Sequence, residues 1–451
     1  DPVRAKRHGR RQAPAAGGVA GHARGGLRTR LVALGSVAAL VAVPAQASSA
    51  GQVQAALTRW ADDRPGTSAL VWRLDDPLPV AVAATTPDEP RIPASTMKLV
   101  TSAGALLALG PGHRFTTSVF AGPATIRRGR AVIGPVYLRG GGDPVLSTTA
   151  YARANFDGRG ARLDDLGRAL RRAGVRRIDG PIVADGGVFD SRRTGPRWRS
   201  YYTRYSSPLS GLTTNRNQTA SGANAARPEI TAGRRFRATL RGLGVRQRGG
   251  VVRGTTPAAG ATLLAKVSSP PLRAILPLVN KPSDNFLAET LAKDVAMGTG
   301  EPASTAAGTA RTARLLGERA ILGRRDRLVD GSGLSRANRL TATTLVRLIA
   351  AADADPSWGR HLLASLPKGG EGTLSSRLRG VGPRVRAKTG TLNGATSLAG
   401  RVVSRRGQRY AFALLMNTPD TTTGRSVQDR IVGLLAAGVE DRPVSVAARR
   451  R

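Results

Sequence analysis

The segment Ser95–Leu109 constrains the fold more than any other part of this chain. Pro93 leads into it, and Gly110-Pro111-Gly112 closes it. Met97, Leu99, Val100, Ala103, Leu106 and Leu107 leave a helix here with little polar surface. Such a helix is buried, so other layers must cover it. Yet its first turn carries Ser95 and Lys98, which three-residue spacing places on one face. Lysine is scarce: 7 of the 70 basic side chains are Lys and 63 are Arg. A site that needs only positive charge is filled here by Arg. A retained, buried Lys points to chemistry that a permanently protonated guanidinium cannot do, such as accepting a proton.

The 451 residues are enough for two or more domains with sizeable cores. Aromatic residues are only 4%, so Leu, Val and Ala must fill those cores. With no Cys, disulfides, thiolate catalysis and Cys-based metal sites are excluded. Before residue 112 the pattern predicts a helix over Gln52–Trp60. A strand hairpin follows, Ser68–Arg73 with Val80–Ala84, around Asp75-Asp76-Pro77. From His113 to Pro270 short β-like runs alternate with Gly-rich turns: Phe115–Phe120, Ala131–Leu138, Arg177–Ala184, Arg237–Leu240 and Ala261–Val267. One amphipathic helix, Leu163–Ala173, interrupts them, and Thr219–Ala226 reads as an exposed loop.

After 270, helices are predicted over Pro271–Val279, Ser283–Met297, Ala306–Leu316 and Thr341–Ala351. Strands follow at Arg384–Thr391, Ser397–Val403 and Tyr410–Met416, then a helix over Ser426–Ala437. The expected fold class is α+β. Residues 48–112 and 271–445 form one discontinuous domain with an antiparallel sheet flanked by helices. Residues 113–270 form an inserted β-rich region of one or two subdomains, and 446–451 form a basic tail.

Arg24, Arg28 and Arg30 precede the apolar run Leu31–Val43, and Ala45-Gln46-Ala47 fits a signal-peptidase site. Residues 1–47 therefore read as a basic lead and signal peptide, cleaved after about Ala47, on a chain exported to the cell envelope or beyond. The apolar run is short for a membrane span. The net charge of +41 falls to +34 once that lead, at +7, is removed. Few aromatics accompany the Arg residues, which argues against nucleic acid. Anionic wall polymers or lipid headgroups suit a basic exported chain better, and an Arg-rich coding bias with no partner is the plainer account.

Two further segments join Ser95 and Lys98. Ser283-Asp284-Asn285 follows Pro282 and opens a predicted helix. Lys388-Thr389-Gly390 lies on a predicted strand, followed by Thr391. Taken singly, each fits ordinary structure: an N-cap serine, a surface Lys, a strand-edge Lys. Together, in this order, they match the S-x-x-K, S-x-N and K-T-G signature of penicillin-binding proteins and class A β-lactamases.

The chain resembles the class C penicillin-binding proteins, the D-alanyl-D-alanine carboxypeptidase/endopeptidase family. Leu138–Pro144, Asp330–Ser335 and Leu366–Gly370 add to the likeness, although loops of Gly and Asp such as those around Asp143 and Asp330 are commonly plain turns. The resemblance spans about residues 50–440. It implies a serine β-lactamase/penicillin-binding fold and a serine peptidase acting on peptidoglycan stem peptides, with no cofactor or metal. Ser95 would be the acylated nucleophile and Lys98 its base. Ser283 would pass the proton to the leaving D-alanine, and Asn285 would hold the peptide. Lys388 and Thr389 would bind the terminal carboxylate, Gly390 would let the substrate backbone approach, and the N–H groups of Ser95 and Thr391 would form the oxyanion hole. Penicillins would acylate Ser95. A class A-like β-lactamase and a non-catalytic penicillin- or wall-binding protein share the motifs. The first lacks an E-x-x-L-N here, and neither accounts for both the large insert and the intact trio.

Overall fold

In the computed structural model, residues 48–440 are described, apart from 77, 124 and 299. The basic lead, the cleavage site and the tail lie outside the described residues. A five-stranded antiparallel sheet organises the molecule, in the order Val385–Leu392, Ala395–Val403, Arg409–Met416, Thr67–Arg73, Val80–Thr85. Both faces of its central strands are buried, and residues alternate between two cores. Leu70, Ala411, Ala413 and Leu415 face a helical layer with Leu99, Val100, Leu287, Leu345 and Ile349. Val71, Phe412 and Leu414 face the other way, onto Val53, Leu57, Ile431 and Val432 from the helices Ala50–Ala61 and Thr421–Ala437. Three-dimensional order therefore differs from chain order: strands from the two ends of the sequence share one sheet.

The helix read at Ser95–Leu109 starts as a short 3-10 turn, Ala94–Thr96, and becomes α-helical over Met97–Leu109. Every residue from Met97 to Leu106 is buried, as its all-round apolar pattern requires. Gly110, at φ 83°, ends it.

Residues 113–270 build two further sheets around a core of their own, which includes Val119, Val132, Ile178, Ile182 and Phe236. One sheet runs Val251–Arg253, Ile182–Asp185, Val136–Arg139, Thr116–Ala121, Thr262–Ser268; the other runs Arg246–Arg248, Arg177–Asp179, Ala131–Ile133, Ile126–Arg128. Ile182–Asp185 pairs in parallel with the strands on both its sides, and so does Arg177–Asp179. Parallel neighbours need long crossovers. The helices Leu163–Arg172 and Pro228–Gly242 lie in those connections.

The β-like reading of Arg237–Leu240 is corrected here. Those residues sit inside the helix Pro228–Gly242, where Pro228 occupies the first turn and Ala232, Phe236 and Leu240 recur every four residues on the buried face. A four-residue window catches the alternation but misses that longer period. Short helices at Thr149–Asn155 and Gly359–Ser365 add to those the sequence predicts.

Candidate active site

The three motifs converge between the edge of the main sheet and the helical layer. Lys98 is fully buried, and its Nζ donates to Ser95 Oγ at 3.1 Å, Asn285 Oδ1 at 2.7 Å and the Ser332 carbonyl at 2.7 Å. Ser95 itself stays partly open. Burial lowers the Lys98 pKa to about 8, while the charges of Asp330, Glu289 and Asp284 pull it back up. A neutral amine so placed has two N–H donors and one lone pair. Asn285 and the Ser332 carbonyl take the donors, which leaves the lone pair for the Ser95 hydroxyl.

Ser95 is held from the sheet side. Ala94 adopts φ 48°, an uncommon conformation for a residue with a Cβ. Ser397 Oγ donates to the Pro93 carbonyl at 2.7 Å, which ties the turn to the strand Ala395–Val403. Gly390 lies against the same turn. A Cβ there would come within 2.2 Å of Ser397 Oγ, 2.7 Å of the Pro93 carbonyl oxygen and 2.9 Å of the Ser95 nitrogen. Only glycine lets this strand pack so closely on the turn.

Ser283 was expected to open its helix, and the structure corrects this. Ser283 stands outside it at φ 61°, and Asp284 is the cap, accepting from Leu287 N at 3.0 Å. That kink turns Ser283 toward Lys388. Lys388 is buried, and its Nζ donates to Ser283 Oγ at 2.9 Å and to the Thr389 carbonyl at 2.8 Å. Burial, helped by the Lys98 charge, pushes the Lys388 pKa well below its usual value. Thr389 shares a hydrogen bond with Thr373 at 2.8 Å, and Thr391 is exposed at the end of the strand. The start of this edge strand is covered, since Ala387 N donates to the Pro367 carbonyl and Arg386 bridges to Lys368. From Lys388 onward no strand pairs with its outer side among the described residues.

The structure adds residues that the motifs do not contain. Glu289, one helical turn beyond Asn285, is fully buried; its Oε1 accepts from the backbone N–H of Gly331 at 3.1 Å and of Ser332 at 2.7 Å. It thereby anchors the backbone N–H of Ser332, the residue whose own carbonyl accepts from Lys98. Burial, with the nearby Asp330, raises the Glu289 pKa to about 8.

The loop Asp330–Ser335 is therefore more than a plain turn. Asp330 accepts from Gly333 N, Ser335 N and Asn338 Nδ2, and from Trp198 Nε1 at 2.8 Å. Trp198 comes from the insert, as does the Tyr205 carbonyl that accepts from Asn285 Nδ2 at 3.0 Å. A Glu four residues after Asn285, on the same face of the predicted helix, is the one sequence signal for Glu289. Nothing local marked Trp198 or Tyr205. Asp143, by contrast, makes a turn, accepting from Val145 N at 2.9 Å, and takes no part in this cluster. Among the described residues no cluster of three or more His, Cys, Asp or Glu could hold a metal.

A model of the D-Ala-D-Ala carboxypeptidase 3 (S13) family matches residues 80–227 and 217–438. The chain belongs to this family. As an S13 member it is a serine-type D-Ala-D-Ala carboxypeptidase. It is 33% identical over 406 residues to a carboxypeptidase of Mycobacterium tuberculosis, covering 87% of this chain and 85% of that one. It is 30% identical over 431 residues to the D-alanyl-D-alanine carboxypeptidase of an Actinomadura species, covering 77% of each. Penicillin binding protein 4 of Haemophilus influenzae has the same fold, with a TM-score of 0.70 at 23% identity over 84% of this chain and 99% of that one.

Proposed function

We propose that this S13 enzyme cleaves the terminal D-alanyl-D-alanine bond of peptidoglycan stem peptides through an ester on Ser95. Neutral Lys98 takes the Ser95 proton as Oγ bonds to the penultimate D-alanine carbonyl. The tetrahedral oxyanion lies against the N–H groups of Ser95 and Thr391. The C–N bond then breaks, and the proton reaches the leaving amine through Ser283. Water, deprotonated in turn, adds to the ester and releases the shortened peptide with Ser95 restored. The substrate backbone lies along the open edge from Lys388 to Thr391, with Asn285 holding a peptide amide. Its terminal carboxylate supplies the counter-charge that buried Lys388 lacks, with Thr389 beside it. Cleavage of D-alanyl cross-links would place an amino-acid side chain in the same position, so endopeptidase activity uses the same groups.

The observation that carries this reading is the contact of Lys98 Nζ with both Ser95 Oγ and Asn285 Oδ1. β-Lactams acylate the same hydroxyl. Export with cleavage after about Ala47 would deliver the chain to this substrate, and its basic character suits anionic wall polymers or lipid headgroups there. The test is the intact mass of residues 48–451 with benzylpenicillin, beside Ser95→Ala. A stable adduct that Ser95→Ala does not form supports the mechanism. Drug consumed without adduct would favour a β-lactamase, and drug left intact would refute catalysis at Ser95.

A further inference from the structure

Charge is unevenly spread over this chain. Residues 113–270 carry 28 Lys and Arg against 8 Asp and Glu, a net +20 of the +34 that follows residue 47. Part of that excess is ordered around one concavity. Arg234, Arg237 and Arg241 recur at i, i+3 and i+7 on the exposed face of the helix Pro228–Gly242, a row roughly 10 Å long at 1.5 Å per residue. Arg246 and Arg248 alternate on the strand Arg246–Arg248, the outermost of its sheet, and so share a face. These five arginines and Gln247 line a hollow of about 740 Å³.

The arginines are not spent on the fold. Arg235, on the same helix, donates to the Thr214 and Gln218 carbonyls. Arg171 donates to the Leu243 carbonyl. The side chains of Arg234, Arg237, Arg241 and Arg246 have no hydrogen bond or ion pair to any described residue. Arg248 lies 4.0 Å from Asp179, whose carboxylate is engaged more closely by Arg177 at 2.7 Å. Converging like charges repel one another, and an anion between them removes that cost. The guanidinium fork binds phosphate oxygens two at a time. The hollow presents no exposed large apolar side chain to enter a bilayer and no aromatic ring on which a base could stack.

We infer that this arginine-lined hollow binds a linear phosphodiester polymer without bases, a polyol-phosphate chain of the wall, and so tethers the peptidase beside its substrate. The inference deepens the proposed attraction to wall polymers by naming its site. The test is binding of residues 48–451 to poly(glycerol phosphate) across a salt series. The variant Arg234→Gln/Arg237→Gln/Arg241→Gln is compared with a control that removes three exposed insert arginines elsewhere, Arg128→Gln/Arg153→Gln/Arg159→Gln. The first should weaken binding at least about tenfold and reduce the log–log salt slope by about 2, at roughly 0.7 for each phosphate no longer neutralised. The control should change affinity by less than about threefold. Benzylpenicillin acylation of Ser95, unchanged in both, reports folding and also keeps failure of this inference distinct from failure of the peptidase mechanism. Equal weakening in both variants, or none in the first, would overturn the site. Tighter binding of the wild type to phosphatidylglycerol vesicles or to single-stranded DNA would overturn the choice of partner.

Discussion

Lys98 can take the Ser95 proton only when it is uncharged, so the acylation rate should follow its titration. At its ordinary pKa of 10.5 a lysine is neutral in about one molecule in 3,000 at pH 7; at the pKa of about 8 that burial gives Lys98, about one in eleven is neutral. The buried position thus raises the reactive fraction by roughly 300-fold, equivalent to about 3 kcal/mol. The neutral form gains as pH rises, so the rate climbs through the pKa and then levels. From pH 6 to pH 8 the second-order acylation constant should rise about 50-fold, and from pH 8 to 9.5 only about twofold. The assay is quenched-flow reaction with benzylpenicillin in excess, read by intact mass. Lys98→Arg supplies the assignment: it should abolish acylation at every pH while the protein remains folded. A flat profile between pH 6 and 9, or wild-type acylation in Lys98→Arg, would refute the reasoning.

Three other outcomes are expected. Gly390→Ala should cost about 1–3 kcal/mol of stability, because its Cβ overlaps Ser397 Oγ and the turn before Ser95; acylation should fall at least about tenfold, and urea unfolding beside the acylation assay checks both. Glu289→Ala should cost about 2–4 kcal/mol by leaving the buried N–H groups of Gly331 and Ser332 without an acceptor. It should also slow acylation by loosening the Ser332 carbonyl on Lys98, whereas Glu289→Gln keeps an acceptor oxygen and should restore most of both; equal impairment in the two variants would contradict this role. The third concerns Asp143 and Asp294, both buried. Burial raises Asp143 to about 7, and burial plus the Asp143 charge raises Asp294 well above the usual carboxylate range. Both bind protons more tightly folded than unfolded, so their contribution is full below about pH 4; that of Asp143 is lost as pH rises through about 7, and that of Asp294 as pH rises through its own raised folded value. The thermal midpoint should therefore drop more between pH 5 and 8 in wild type than in Asp294→Asn, and parallel curves would exclude the pair as the cause.

Much of the candidate site is legible without coordinates because its motifs are local. Ser95 and Lys98 meet because helical geometry brings residues three apart together, whatever surrounds them. The burial of their helix follows from apolar residues on every side, and the sheet strands follow from short β-like apolar runs punctuated by turns. The sequence alone also singled out Lys98 and Lys388, since a chain that uses arginine nearly everywhere kept lysine there. Pairing between segments is a different matter. Ser283 Oγ accepts from Lys388 Nζ, a residue 105 positions away, because a left-handed Ser283 and an Asp284 cap turn it from its own helix. Glu289 reaches the Lys98 shell through the backbone of Ser332, and the insert closes on the site through Trp198 and the Tyr205 carbonyl. The Arg237–Leu240 run became helix because Phe236 and Leu240 found a core and the parallel strands needed a crossover. Periodicity is set by backbone geometry within a few residues and can be read along the chain. Which distant groups meet is set by how the buried faces pack, and only the folded structure decides that.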